Sequence, residues 1–346
     1  MRILITGSTG FLGTQLAKKL LLEGHHVYLL VRSQQKADAL LNNLHEYKND
    51  ITPLIGELTQ ENLWLAEEKI KELNGQIDAI YHTAALLSFD ESKRDELFHV
   101  NVNGTKNALE FAQHINVKRF IHVSTAYTLG TRDVGQESLY PKSQEFRNSY
   151  EESKAKAEHL VMTYKNQFEV LIMRPSIIIG DSETGEADTT FGLYGIIRTI
   201  EILKKKSERS QNNQTYRLVL DEDSVSNLVP VDYVVKVLVL GLTYGQPETV
   251  YNITNPNPPQ NKAVFVAITH SLDFDQVELI PNEDAHLLTQ EEINMNKPIE
   301  VFKEYLNTSV TFEDNNTREL LQQANQDGIA MDRDTLLRII DGFINR

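Results

Sequence analysis

The first thirteen residues, Met1-Arg-Ile-Leu-Ile-Thr-Gly-Ser-Thr-Gly-Phe-Leu-Gly13, constrain the fold of this chain more than any other stretch. Arg2–Thr6 reads as a short, buried, β-branched strand. Gly7, Gly10 and Gly13 then punctuate a turn that opens directly into a helix. That helix carries Leu12, Leu16 and Leu20 on one stripe and stops near Gly24. A strand, a glycine turn and a helix N-terminus make a phosphate cradle. Glycine lets backbone N–H groups approach a pyrophosphate without a Cβ in the way, and the helix dipole favours negative charge. The glycine spacing is looser than the fingerprint in which one residue separates the first two. The context makes the signal: a buried strand before, an amphipathic helix after, and a second strand at His26–Val31. The residues expected to touch a cofactor here are Gly7, Thr9, Gly10, Phe11, Leu12 and Gly13.

Strand and helix patterns alternate through the first half. Further strands are expected at Ile51–Ile55, Ala79–Thr83, Arg119–Ser124 and Glu169–Arg174. Helices are expected around Gln35–His45 and over Glu61–Leu73, Ser92–His114 and Tyr150–Asn166. This alternation means right-handed βαβ units: an α/β chain with a Rossmann-type, doubly wound parallel sheet. Ligands in such sheets sit at the carboxyl ends of the strands. A formal net charge of −15 argues against nucleic-acid binding. The absence of cysteine excludes disulfides and thiolate chemistry and fits a cytoplasmic setting. The first strand begins at residue 2, leaving no room for a leader, and no apolar run is long enough to span a bilayer. None of the ten histidines falls in a metal-ligand pattern, so no metal is expected.

The strand ends carry the chemistry. Strand two runs into Val31-Arg32-Ser33, with Lys36 close by. A cofactor with a free 2′-hydroxyl is usually met here by a carboxylate. A guanidinium suits a 2′-phosphate, which points to NADP(H); a solvated surface arginine is the alternative. After strand three, Glu57 and Leu58 are placed for the adenine. After strand four, Thr83, Ala84 and Ala85 are small enough to let a cofactor lie against the backbone. Strand five ends in Val123-Ser124-Thr125-Ala126-Tyr127, and Tyr150-Glu-Glu-Ser-Lys154 follows. A Tyr and a Lys four apart on a helix share a face, and a nearby ammonium lowers a phenol's pKa, which starts near ~10. Such a phenol exchanges a proton with an alkoxide near neutral pH.

With these residues in place the chain resembles the extended short-chain dehydrogenase/reductases. The glycine motif, Asn101-Val-Asn-Gly-Thr105, the strand-five hydroxyl and Tyr150/Lys154 carry the likeness. Aligning Ser124–Gly130 on that family's motif puts the catalytic hydroxyl on Thr125, beside Tyr150 and Lys154. His82–Phe89, Met173–Gly185 and Asn227–Tyr233 narrow the resemblance to the thioester-reductase and fatty acyl-CoA reductase branch, also called male-sterility-like. The likeness covers residues 1 to about 255. It implies that Asn101, Val123, Pro175 and Ser176 join the cofactor site, although proline after a strand is also ordinary punctuation. That branch commonly has Asp where this chain has Glu57. Its thioester reductases are often fused to adenylation and carrier domains, so here an acyl group is expected to arrive in trans.

Beyond Gly180 the alternation breaks. Residues 1–180 are expected to form the NADP-binding domain, with about 227–255 returning to it, and 181–346 to form mainly a smaller α+β substrate domain. Ser182–Thr190 reads as a loop over the substrate and Phe191–Leu203 as an amphipathic helix. Lys204, Lys205 and Lys206 follow, and Ser207–Thr215 is polar enough to be mobile. The lysines, with Ser88, are candidate substrate contacts; a solvated helix end is the alternative. Three functions compete. The first is NADPH-dependent reduction of a carbonyl, an aldehyde or an acyl thioester carried on coenzyme A or a carrier protein. The second is nucleotide-sugar epimerisation or dehydration with a retained NAD; Arg32 and the lack of a multi-arginine clamp oppose it. The third is a non-catalytic NADP-binding sensor. A monomer and a homodimer are both compatible with the sequence.

Overall fold

Six apolar strands of the first half, joined by one from residue 249 onward, line up in one sheet. The computed structural model describes residues 1–346 except 190–191, 211–213 and 301. It divides into two units. The first is Met1–Ser176, Val234–Thr254 and Phe312–Gly328; the second is Ile177–Tyr233, Asn255–Thr311 and Ile329–Arg346.

In the first unit the strands are β1 (Arg2–Thr6), β2 (His26–Val31), β3 (Ile51–Ile55), β4 (Ala79–His82), β5 (Arg119–Val123), β7 (Glu169–Pro175) and β11 (Thr249–Ile253). Their order is β11-β7-β5-β4-β1-β2-β3, and every pairing is parallel. A short β6 (Val134–Gly135) lies outside this sheet. The helices are α1 (Phe11–Leu22), α2 (Gln34–Asn43), α3 (Glu67–Leu73), α4 (Arg94–Phe98), α5 (Gly104–His114), α6 (Ser149–Met162) and α12 (Asn315–Gln323), with residues 234–244 of α8 (Val231–Tyr244). This is the Rossmann-type sheet that the alternation predicts. Strand residues alternate between faces. Leu4, Ile80, Phe120, Val170 and Ile172 pack with Ile70 of α3, Leu109 and Phe111 of α5 and Val161 of α6. On the opposite face Tyr81 donates its hydroxyl to Leu238 O at 2.8 Å.

Two local departures bear on the site. The long helix expected over 92–114 is interrupted by a π turn, His99–Asn103, between α4 and α5. The stretch after β3 makes a turn in which Asn62, Leu63 and Trp64 all have left-handed backbone, with φ of 52°, 54° and 58°. Buried Leu63 anchors that turn, and its carbonyl accepts from Glu57 N at 2.9 Å.

The second unit holds two parallel strand pairs, β8 (Ile177–Ile179) with β10 (Leu228–Pro230) and β9 (Tyr216–Val219) with β12 (Val277–Ile280). Its helices are α7 (Leu193–Ser210), α9 (Asn261–Ser271), α10 (Gln290–Glu300), α11 (Lys303–Leu306) and α13 (Arg333–Ile344); the two-residue strand β13 (Thr311–Phe312) falls where the chain passes from this unit to the first. Glu292 of α10 grips Arg217 of β9 through two bonds of 2.8 and 2.7 Å, docking helix on strand. Helix α7 runs through the lysine run to Ser210, past the end expected at Leu203. Residues 207–210 are therefore helical; residues 190–191 and 211–213 of the expected loop, helix and polar stretch lie outside the described residues. No helix among the described residues is long and apolar enough to cross a membrane.

Candidate active site

The carboxyl ends of β1, β2, β3, β4, β5 and β7 gather the predicted cofactor residues within the first unit. Gly7 sits at φ +74°, and a Cβ there would stand 2.6 Å from Ala84 N and 2.8 Å from Thr83 Oγ1. A Cβ on Gly13 would meet Gly7 O at 2.2 Å. These two glycines therefore close the turn onto β4 and α1. Gly10 has a different role. A Cβ on it would meet nothing nearer than Gly7 O at 3.4 Å, and Gly10 caps α1 without a side-chain hydrogen bond. The first N–H groups of α1 are thus left facing an open cradle beside exposed Thr9, where a phosphate would satisfy them. Phe11 and Leu12 open the helix half-buried. The residues present fit a dinucleotide.

Arg32 and Glu57 meet. Arg32 Nε lies 3.5 Å from Glu57 Oε2, with the Arg32 side chain 64% exposed. Ser33 caps α2 by accepting from Lys36 N at 3.3 Å, so the backbone of Lys36 is fixed while the residue stays exposed. Leu58 is held at the start of α5: Asn107 donates to its carbonyl at 2.9 Å, and a Cβ on Gly104 would stand 2.9 Å from its Cγ. Thr83 donates to Thr6 O at 2.7 Å, Ala84 N to Thr6 Oγ1 at 3.4 Å, and Ala85 is exposed. Asn101, buried in the π turn, accepts from Leu86 N at 2.7 Å and donates to Leu86 O and Ser153 Oγ, each at 2.9 Å. Asn101 thereby positions the loop after β4 against α6. Ser88 is part of that loop, where its hydroxyl accepts from Asp90 N at 3.2 Å. Pro175 ends β7, and Ser176 N bonds Ile253 O at 3.1 Å.

Two of the three expected catalytic residues, Thr125 and Lys154, meet the end of β5. Lys154 is 2% exposed, and its Nζ donates to Val123 O at 2.7 Å. Burial lowers its pKa to about 8, with Glu158 opposing the fall. Thr125 caps the turn 126–129 by accepting from Tyr127 N at 3.3 Å. Among the described residues, buried Ser124 Oγ has no hydrogen-bond partner. Tyr150 is half-buried at the start of α6 with Phe89 edge-on at 6.2 Å. One expectation needs correction. Lys154 does not bring the Tyr150 phenol down; burial, seconded by the adjacent Glu151 carboxylate, pushes it above its ordinary value.

Comparison with known proteins fits this geometry. The family model described as male sterility protein, an NAD-binding family, matches residues 5–238, well over half the chain. The chain belongs to the male sterility protein family. Fatty acyl-CoA reductase 1 of Xenopus laevis is 29% identical over 77% of the chain. A component of the linear gramicidin synthase of Brevibacillus parabrevis is 27% identical over 98% of it. The chain spans 57% of the former and 7% of the latter. The terminal R domain of the myxalamid PKS-NRPS pathway superposes with TM-score 0.82 at 23% identity, covering 99% of this chain and 90% of that one. A Bacillus cereus UDP-glucuronic acid 4-epimerase in complex with NAD gives 0.72 at 18%, covering 99% and 96%. These structural likenesses show a shared extended short-chain dehydrogenase/reductase fold.

In this member of the male sterility family, several supporting residues escaped sequence reading. Ser33, Gly104, Asn107 and Ser153 each hold a predicted cofactor or catalytic residue through one bond or one close approach. Ser33 left a sequence signal as a serine directly before a helix, and Gly104 as part of the Asn101–Thr105 motif; Asn107 and Ser153 left none of their own. The lysine run lies in the second unit on the last turns of α7. Lys204 donates to Leu272 O at 2.6 Å, Lys206 pairs with Glu291, and Lys205 is exposed. No group of three or more metal-ligating side chains occurs among the described residues.

Proposed function

We propose that this chain is an NADPH-dependent reductase of a carbonyl, with an acyl thioester or an aldehyde as substrate. The observation that carries the reading is the placing of Lys154 under Val123 O at the end of the strand that continues into Thr125, with Tyr150 one helical turn away. Fatty acyl-CoA reductase among the relatives supports the substrate class. The first unit would hold the cofactor and the second the substrate. Gly7, Gly10 and Gly13 with the N-terminus of α1 would take the pyrophosphate, Arg32 and Lys36 the 2′-phosphate, and Glu57 with Leu58 the adenine. A bound reduced nicotinamide supplies hydride.

The protein's own contribution is positioning and a proton. Tyr150, held protonated by burial, donates from its hydroxyl to the carbonyl oxygen as negative charge develops there. Thr125 orients the same oxygen with its remaining hydroxyl proton. Lys154 holds the ribose side of the cofactor with an ammonium fixed at Val123 O.

The test is oxidation of NADPH in the presence of acyl-CoAs, free aldehydes or nucleotide sugars. Consumption with an acyl-CoA or aldehyde is the expected result. Conversion of a nucleotide sugar without net NADPH oxidation would replace this reading with an epimerase.

A further inference from the structure

A buried ion pair lies one helical turn beyond Lys154. Glu158 follows Lys154 by four residues on α6, so the two share a helix face, and Glu158 is 1% exposed. Arg174 of β7, fully buried, grips it in parallel: Nε to Oε1 at 2.7 Å and Nη2 to Oε2 at 2.6 Å. Arg174 Nη1 donates to Gln136 O at 3.0 Å, and its guanidinium stands 4.9 Å from the Tyr140 ring. Thr128 Oγ1 adds a bond to Glu158 at 3.4 Å. A buried pair of this kind is a weak device for stability, because apolar side chains of similar volume often serve as well. Its position indicates another use.

The charged and titratable groups around Lys154 come from four elements. Strand β4 brings His82 and β5 brings His122, stacked at 5.4 Å. Burial, with Lys154 adding to it, holds both imidazoles well below their ordinary pKa, so both are neutral. Helix α6 brings Tyr150, also neutral, and Glu158. Glu151 on the same helix turns to Arg147, 3.8 Å away. Strand β7 brings Arg174, through Glu158. Among these described groups Glu158 is the buried carboxylate one turn along α6 from Lys154, and its charge opposes the lowering that burial imposes on Lys154.

We propose that Glu158, locked in place by Arg174, is the buried counter-charge that keeps Lys154 an ammonium at the Val123 carbonyl, making the pair positioning residues for the catalytic set. Arg174 immediately precedes Pro175, so the same pair ties α6 to the strand end that would meet the nicotinamide. The catalytic consequence rests on the reductase reading; the charge relation does not.

The experiment follows Lys154 directly, as the pH titration of its ¹³Cε resonance assigned with Lys154→Arg, in the full chain without cofactor. In the parent protein the midpoint is expected near the value of about 8 to which burial and Glu158 together bring it. Glu158→Gln, and the neutral pair Glu158→Gln/Arg174→Gln, should lower it by about one pH unit or more, whereas Arg174→Lys should leave it near the parent's. The double variant leaves no unpaired guanidinium and lets Lys154 shed its proton, so its melting temperature should fall less than that of Glu158→Gln alone. An unchanged midpoint in the folded double variant overturns the proposal, as does a parent midpoint already below neutrality. A parallel arm follows turnover of an acyl-CoA. Its alkaline limb should move down with the Lys154 midpoint. If the midpoint moves and the limb does not, the pair acts as proposed and it is the catalytic role of Lys154 that fails.

Discussion

The Tyr150 phenol, raised by burial and by Glu151, stays protonated through neutral pH and past its ordinary range. Removing that hydroxyl in Tyr150→Phe keeps the ring beside Phe89. Turnover should therefore fall by about 10²–10⁴, the usual contribution of a positioned general acid, with little change in melting or NADPH affinity. Near-normal turnover would place the acid elsewhere. Thr125→Ala should be milder. A larger effect at Ser124, whose hydroxyl is buried and unpartnered among the described residues, would mean that the strand-five register is shifted by one. For the cofactor, Arg32→Glu should abolish a preference for NADPH over NADH of roughly ten- to a hundredfold, measured by titration with each. Equal affinities in the parent would remove Arg32 from that role. The meeting of Lys154 with the end of strand five was legible because helix and strand periods convert spacing into proximity. The direction of the Tyr150 shift was not, because spacing carries no information about solvent access.

Six strands of the first unit's sheet, β1–β5 and β7, were legible as elements because each is a short apolar run that stops at a polar or glycine-bearing turn; β11 and the two-residue β6 were not. The π turn at His99–Asn103 was not. Apolar periodicity reads through one extra residue per turn, yet that residue is what brings Asn101 to Leu86 and Ser153. The left-handed run Asn62–Trp64 was equally hidden, since none of the three is glycine. Nor did Lys204–Lys206 end α7, because lysine is a good helix former. Two element-level outcomes follow. Gly13→Ala would drive a Cβ to 2.2 Å from Gly7 O, a backbone atom with no room to yield. Calorimetry should show a loss of about 1–3 kcal/mol or more, with cofactor affinity falling in step. In the second unit the bonds from Arg217 hold Glu292 down to about 2. A depressed carboxylate contributes stability above its ordinary pKa of 4.5 and loses it as pH falls toward 2. Glu292→Gln should lower the melting temperature at neutral pH while flattening its acid dependence over that window. An unchanged acid slope would show that the pair does not govern how α10 docks.

Over the whole molecule, a net charge of −15 repels phosphate-bearing carriers at long range, and a local basic patch is what would offset it. Lys204, Lys205 and Lys206 are the proposed patch, though Lys204 and Lys206 already have partners within their own unit. If they receive coenzyme A phosphates, replacing all three with Gln should raise KM for an acyl-CoA several-fold and flatten its salt dependence, leaving a free aldehyde unaffected. Parallel responses by both substrates would assign the lysines to the end of α7 alone. What the sequence did not disclose at this scale is that Phe312–Gly328 belongs with the first unit. There Glu137 accepts from Asn316 N at 2.6 Å and Thr317 N at 3.4 Å, at the start of α12. Nothing in residue type announces a partner so distant along the chain. One feature of the first unit also makes the protein its own optical instrument. Trp64 is the chain's single tryptophan, 69% exposed, on the left-handed turn whose Leu63 carbonyl holds Glu57 N. Its emission comes from one known place, a few residues from the proposed adenine contact, and overlaps the absorption band of a reduced nicotinamide. Saturation with NADPH should quench that emission, and NADP⁺, which lacks the band, should quench it far less.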